Sequence, residues 1–142
     1  MLMKLSISVI IPTLNEEENI EKILNNIKLL QAKEILIVDG GSKDRTRTIL
    51  KKLNVLTTKP SRGKQLGTGA KISSQPWLLF LHADTKITTS NVNEIKNFIK
   101  KKENKVAYFH LKFNNVSFFA KIISLWANLR TKFFYLPFGD QC

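Results

Sequence analysis

"LSISVIIPTLNEEENIEKILNNIKLL", residues 5–30, sets a β-branched run directly before a helical repeat. Leu5 to Ile11 is nearly continuous in apolar character, which suits a parallel strand covered on both faces. Pro12 is expected to end that strand. Beyond it, Ile20, Ile23, Leu24, Ile27 and Leu30 recur at helical spacing. Asn15 is the candidate cap of this helix, with Glu18 three residues on in capping-box order. Glu16, Glu17 and Glu18 complement the positive helix end.

The same alternation continues along the chain. "EILIVDGGS" (34–42) gives a second buried strand over Ile35 to Val38, ending at Asp39, with Gly40 and Gly41 as the turn. Ser42 is expected to cap a helix running to Lys52. "NVLTT" is a short third strand. "SRGKQLGTGAKISS" (61–74) reads as a loop entering a helix weakened by Gly67 and Gly69. "WLLFLH" (77–82) reads as a fully buried fourth strand, "SNVNEIKNFIKKK" (90–102) as a helix with Val92, Ile95, Phe98 and Ile99 on one face, and "KVAYFHLKF" (105–113) as a further strand. Strand and helix alternating without repeats or low-complexity linkers is the signature of an α/β fold with a mostly parallel sheet.

Composition bounds what such a fold can do. The chain has 142 residues, 43% of them hydrophobic, which suggests one domain over residues 1–142 with a real core. Cys142 is the sole cysteine, so neither an internal disulfide nor a cysteine zinc site can form. No apolar run approaches the roughly 20 residues needed to span a bilayer, and the N-terminus lacks a signal-peptide pattern. A cytoplasmic protein is expected. The net charge of +12 favours anionic partners, although most of the lysines are scattered and read as a solvated surface.

In parallel α/β sheets ligands sit outside the carboxyl ends of the strands. Asp39 and Asp84 both fall at such ends. A dinucleotide fingerprint would need glycines after the first strand, where "PTLNEEEN" has none, and no P-loop occurs. Phosphate charge must therefore be met elsewhere. Arg62 and Lys64, expected in a flexible loop before the third helix, are candidates. A Mg²⁺ or Mn²⁺ ion on Asp84 is another, since such ions take one or two carboxylates together with substrate phosphates. His82 lies two residues before Asp84 and would point the same way along a strand, as a second ligand or a hydrogen-bond partner.

"SVIIPTLNEEENI", "ILIVDGGSKDRT" and "FLHADT", in that order, resemble the family-2 glycosyltransferases, and most of all a bacterial subgroup with His-Ala-Asp in place of Asp-x-Asp. "RGKQLGTGA" (62–70) and "ANLRTKFFYLPFGDQ" (127–141) extend the resemblance over essentially the whole chain. It implies a GT-A fold, a Rossmann-like three-layer sandwich, and transfer of a sugar from a nucleotide-diphospho-sugar to a hydroxyl acceptor with a divalent cation. It implies nucleoside contacts for Thr13 and Glu16, a base or ribose contact for Asp39, and diphosphate contacts for Arg62 and Lys64. It makes Asp84 a metal ligand beside His82. Asp84 and Asp140 are then the acids expected near the chemistry, Asp140 on the acceptor side. Gly67 stands where the subgroup carries asparagine. The family pattern continues past "GDQ", so the expectation is a chain holding the donor half, with the C-terminal acceptor part missing.

Residues 117–136, "SFFAKIISLWANLRTKFFYL", form an amphipathic helical pattern. A helix packed on the sheet is preferred over a peripheral membrane helix, and an uncovered apolar face there would favour self-association. The contrasting function is a non-catalytic basic α/β module binding nucleic acid or an anionic membrane surface. No Arg-rich recognition helix or aromatic-basic strand pattern supports specific nucleic-acid binding.

Overall fold

The computed structural model describes residues 4–101, together with 106, 107 and 109. Contacts divide the chain into two units, Met1–Glu103 and Asn104–Cys142, and the account below concerns the first. The strand expected over 105–113, the helix over 117–136 and Asp140 lie outside the described residues.

Four strands form one sheet in the order β3-β2-β1-β4: β1 Leu5–Thr13, β2 Ala32–Asp39, β3 Val55–Thr57 and β4 Trp77–Phe80. Every pairing among them is parallel. The α/β reading of the sequence therefore holds. Helix α1 (Ile20–Asn26, continued by a 3₁₀ turn Ile27–Leu30) joins β1 to β2. Helix α2 (Thr46–Ile49, continued by a 3₁₀ turn Leu50–Lys52) joins β2 to β3. Helix α3 (Arg62–Ile72) leads to β4, and α4 (Thr89–Lys100) follows it. Right-handed crossovers put α1 and α2 on one face. They put α3, whose connection runs back across β1 to β4, on the other. The contacts agree: α1 touches α2, whereas α3 touches β1 and β2.

β1 is central, and Ile7 through Ile11 are all buried. That is why its sequence shows no alternation. Ile20, Ile23, Ile27 and Leu30 close the core from the α1 side.

Pro12 does not end β1, which runs on to Thr13. Residues of a parallel strand address its two neighbours alternately. The Ile10 carbonyl accepts from Leu81 on the β4 side, and the Thr13 carbonyl accepts from Gly40 on the β2 side. Pro12 shares parity with Ile10, so its missing donor belongs to the β4 side. Pairing with β4 stops at Ile10–Phe80, short of Pro12, whereas pairing with β2 runs on to Thr13–Asp39.

Three further expectations are corrected. Asn15 has φ of +55°, outside the extended conformation of an N-cap, and α1 starts after Asn19. Ser42 caps no helix, because α2 begins only at Thr46. β4 is half-buried, with Leu78 40% exposed, since among the described residues it has β1 alone as a strand neighbour.

The glycines did not delay α3. A Cβ on Gly69 would sit 2.5 Å from Ile10 Cγ2 and 3.4 Å from Val38 Cγ2, so this glycine lets the helix backbone rest directly on β1 and β2.

Candidate functional site

Because the strands are parallel, their carboxyl ends share one edge, and β1, at the centre, places Thr13 between the continuations of β2 and β4. The loop after β1 and the loop after β2 interlock along this edge. The backbone amides of Asn15, Glu16 and Glu17 donate to Ser42 Oγ (2.9 Å), Thr46 Oγ1 (2.8 Å) and Asp44 Oδ2 (3.1 Å). In return, the amides of Lys43 and Arg45 donate to Asn15 Oδ1 (2.9 Å) and Glu17 Oε2 (2.8 Å). These five donors are occupied, so the loop does not present them to phosphate, in keeping with its lack of glycine. The Glu16 carboxylate takes the Asn19 side-chain amide at 3.0 Å. Asp44 is partly desolvated, which pushes its carboxyl up. Hydrogen bonds from the Thr46 hydroxyl and amide and the Glu17 amide outweigh this and hold it below the usual aspartate range.

Asp39 is fully buried at the end of β2. Its Oδ2 accepts from the amides of Gly41 and Ser42, both at 3.0 Å. Its Oδ1 accepts from Ser42 Oγ at 2.5 Å and, weakly, from Thr13 Oγ1 at 3.4 Å. Gly41, at φ of +91°, permits the chain to fold back over the carboxylate. Arg47 Nε lies 4.0 Å from Oδ2, but its side chain is 61% exposed, so the desolvated charge is held chiefly by the loop's own donors. Thr13 and Asp39 are thus brought together at one point on the edge.

Arg62 and Lys64 are not in a flexible loop, as expected, but in the first turn of α3. Two residues on a helix diverge by about 200°, and the two cations face different ways. Arg62 Nη2 meets His82 Nδ1 at 2.7 Å. Lys64 lines a groove of about 400 Å³ with Lys59 and Lys71. A guanidinium can only donate, so His82 Nδ1 is the acceptor and carries no proton in this pair.

After β4 the chain leaves extended geometry. A turn closes from the Thr85 amide to the His82 carbonyl (3.1 Å), and Thr85 Oγ1 accepts the His82 amide (3.1 Å). The alternation that would aim His82 and Asp84 the same way therefore does not apply. Asp84 is exposed on this turn. The far end of the segment is fastened by Asn26, whose side-chain amide donates to the Ile87 carbonyl (2.8 Å) and accepts the Ile87 amide (2.5 Å). Among the described residues no group of three His, Cys, Asp or Glu side chains could hold a metal ion. Asp84 fits a cation that takes one carboxylate and completes its shell from ligand oxygens and water. His82 Nδ1 faces Arg62, so a ligand from this ring to such a cation would have to be Nε2.

The sequence reading gave no role to Gln65. It is 3% exposed, and its Nε2 donates to the carbonyls of Thr13 and Val38, both at 2.8 Å. Two sequence signals marked it: its place in the "RGKQLGTGA" stretch that carries the family resemblance, and its spacing four residues before Gly69, on the helix face that meets the sheet.

Residues 8–139 match the family described as Glycosyl transferase family 2. Glycosyltransferase AglE of Haloferax volcanii is 36% identical over 91 residues, covering 55% of this chain and 30% of its own length. UDP-N-acetylglucosamine–dolichyl-phosphate N-acetylglucosaminyltransferase of Methanococcus voltae is 47% identical over 47 residues, 33% of this chain and 19% of its own length. Among solved structures, S. aureus TarS superposes with a TM-score of 0.63 at 26% identity, over 81% of this chain and 23% of TarS. The chain thus spans less than a third of the length of each of these relatives. The likeness to TarS agrees with a GT-A type of α/β sheet. With a match that takes in both strand-end acids, α3 and the interlocked loops, the chain belongs to glycosyl transferase family 2.

Proposed function

We propose that this chain forms the donor-binding part of a glycosyltransferase that moves a sugar from a nucleotide-diphospho-sugar to a hydroxyl acceptor. The observation that carries the reading is the convergence of Thr13, Asp39, the Arg62–His82 pair and the turn bearing Asp84 on the carboxyl edge of one parallel sheet. The likeness to the Methanococcus voltae UDP-N-acetylglucosamine–dolichyl-phosphate N-acetylglucosaminyltransferase supports a uridine nucleotide as the first donor to try.

In this reading Thr13, Glu16 and Asp39 face the nucleoside. Asp39 has one weak bond to give up, the 3.4 Å contact with Thr13. Arg62 lies nearest the diphosphate, held by His82, and Lys64 contributes at longer range from the far side of α3. Asp84 takes a Mg²⁺ or Mn²⁺ ion, with His82 as a hydrogen-bond partner nearby. Such a cation supplies Lewis-acid neutralisation of charge on the leaving diphosphate. The sugar C1–oxygen bond to the diphosphate breaks, a bond from the acceptor oxygen to C1 forms, and the acceptor's proton passes to a general base. Asp140 belongs to the acceptor side of this proposal. The proposal also takes residues 1–142 as a single domain working in the cytoplasm, with peripheral membrane contact through residues 117–136 as its less favoured alternative. Self-association through that apolar stretch is part of the same reading. No helix among the described residues is long and apolar enough to cross a membrane.

Titration calorimetry with UDP-N-acetylglucosamine and UDP-glucose, with and without Mn²⁺, tests the reading. Binding that strengthens with Mn²⁺ is expected. Asp84→Ala should remove the Mn²⁺-dependent increment and leave the thermal transition in place, since Asp84 is exposed. A folded chain that binds neither nucleotide in either condition refutes the proposal.

A further inference from the structure

Three pieces of the edge come from distant parts of the chain: Thr13 from β1, Asp39 from β2 and Arg62 from α3. One residue of α3 sends its side chain to the backbone of the other two elements. Gln65 sits one turn after Arg62, and its backbone amide bonds the Ser61 carbonyl at 2.9 Å. Its two Nε2 hydrogens go to Thr13 O and Val38 O, the carbonyls just at and before the ends of β1 and β2. Thr13 O also accepts the Gly40 amide at 2.8 Å, so the amide of Gln65 and the start of the β2 loop meet on one atom. Gly40 leaves room for this: a Cβ there would lie 3.2 Å from Gln65 Nε2.

Both partners of Nε2 are carbonyls, which only accept. The side-chain orientation is therefore dictated, and the chemistry is specific to a neutral amide. Methionine has similar length but no donor. Glutamate would set an acceptor against two acceptors in a buried place. A residue that merely filled the space under α3 would not need two donors on one atom.

We propose that Gln65 is a positioning residue for the donor site: it locks the helix bearing Arg62 to the strand ends bearing Thr13 and Asp39, so that nucleoside and diphosphate contacts keep a fixed separation. This rests on the donor-site reading above. The lock acts through other residues, and Gln65 itself touches no ligand.

Gln65→Met and Gln65→Glu are compared with Ile95→Ala, a buried change in α4, which packs on the 3₁₀ turn Ile27–Leu30. Two quantities are read: the dissociation constant for UDP-N-acetylglucosamine with Mn²⁺, and amide hydrogen exchange along residues 13–17 and 39–46. Gln65→Met is expected to fold, to weaken donor binding about tenfold or more, as small misplacements of binding groups do, and to speed exchange selectively in those two stretches. Ile95→Ala, at a comparable loss of melting temperature, should leave both quantities near wild type. Gln65→Met with wild-type affinity and wild-type exchange overturns the proposal, as does Ile95→Ala reproducing the same affinity loss. If the wild-type chain binds no UDP-sugar, the donor reading fails. Exchange then decides the lock alone, a selective rise in the two stretches upholding it and an unchanged pattern overturning it. Gln65→Glu, folded or not, should fall below Gln65→Met in thermal stability; a Glu variant as stable as wild type contradicts the need for two donors.

Discussion

Replacing Gly69 by alanine should destabilise this protein even though it improves the helix. The new Cβ would lie 2.5 Å from Ile10 Cγ2, 3.3 Å from Ile10 Cγ1 and 3.4 Å from Val38 Cγ2. Carbon atoms in good contact sit roughly 3.5–4.0 Å apart, so the helix or the strand must yield by about 1 Å. Neither neighbour gives easily. Ile10 and Val38 are both 0% exposed, they lie on the two central strands, and β-branching restricts their rotamers. Overpacking of this kind costs about 1–3 kcal/mol, and the severity of the overlap argues for the upper half. Removing a glycine from a helix returns about 1 kcal/mol. The net expectation is a loss of about 1–2 kcal/mol. Gly67 supplies the control within the same helix: nothing lies within 4 Å of a Cβ there, so Gly67→Ala should stabilise by about 0.5–1 kcal/mol. Urea unfolding of both variants should separate their midpoints by about 1 M, given slopes of about 1–3 kcal/mol per molar. Adding Ile10→Ala removes the opposing methyl, and the double variant should lose less than the sum of the two singles. A Gly69→Ala protein as stable as wild type, or one that tracks Gly67→Ala, would refute the close approach of α3 to the sheet.

Two other perturbations have worked signs. Asn26→Asp keeps the acceptor for the Ile87 amide but loses the donor to the Ile87 carbonyl; it should cost about 1–3 kcal/mol and raise exchange at Ile87, read by NMR, while exchange in β1 stays slow. Glu34 is held below the ordinary glutamate range by the Ser8 hydroxyl first, then by the Ser74 amide and hydroxyl, against a desolvation that pushes it up. A depressed carboxylate contributes stability above its unfolded pKa, about 4.3, and loses it as pH falls through the lower folded value. Glu34→Gln should therefore lower stability at neutral pH and flatten the acid limb of a melting-temperature profile; an unchanged acid limb would show that the group carries no such linkage.

What the sequence revealed was periodicity, and what it hid was hydrogen bonding between distant loops. The unbroken run of β1 announced a strand buried on both faces, and Ile20, Ile23, Ile27 and Leu30 announced the helix against it. Pro12 misled because its effect depends on which neighbour its nitrogen addresses, a fact of sheet topology. Asn15 and Ser42 are good capping residues locally, yet each bonds the other's loop, and no local rule anticipates a partner 27 or 28 positions away. The start of α3 was blurred by glycines whose reason is contact with Ile10 in one case. Once Arg62 and Lys64 lie on a helix, they separate. Asp39 and Asp84 were legible as strand-end acids, whereas the pairing of Arg62 with His82 needed the fold.

The mutual stitching of residues 14–19 and 40–46 bears on how such proteins can be re-engineered. Each segment supplies what the other's backbone needs, so a graft that exchanges one for a homologue's version orphans amides in both. The two segments behave as a single cassette split across the chain. Under the proposed donor-binding role, altering nucleotide preference by loop exchange should succeed only when both halves travel together from one parent.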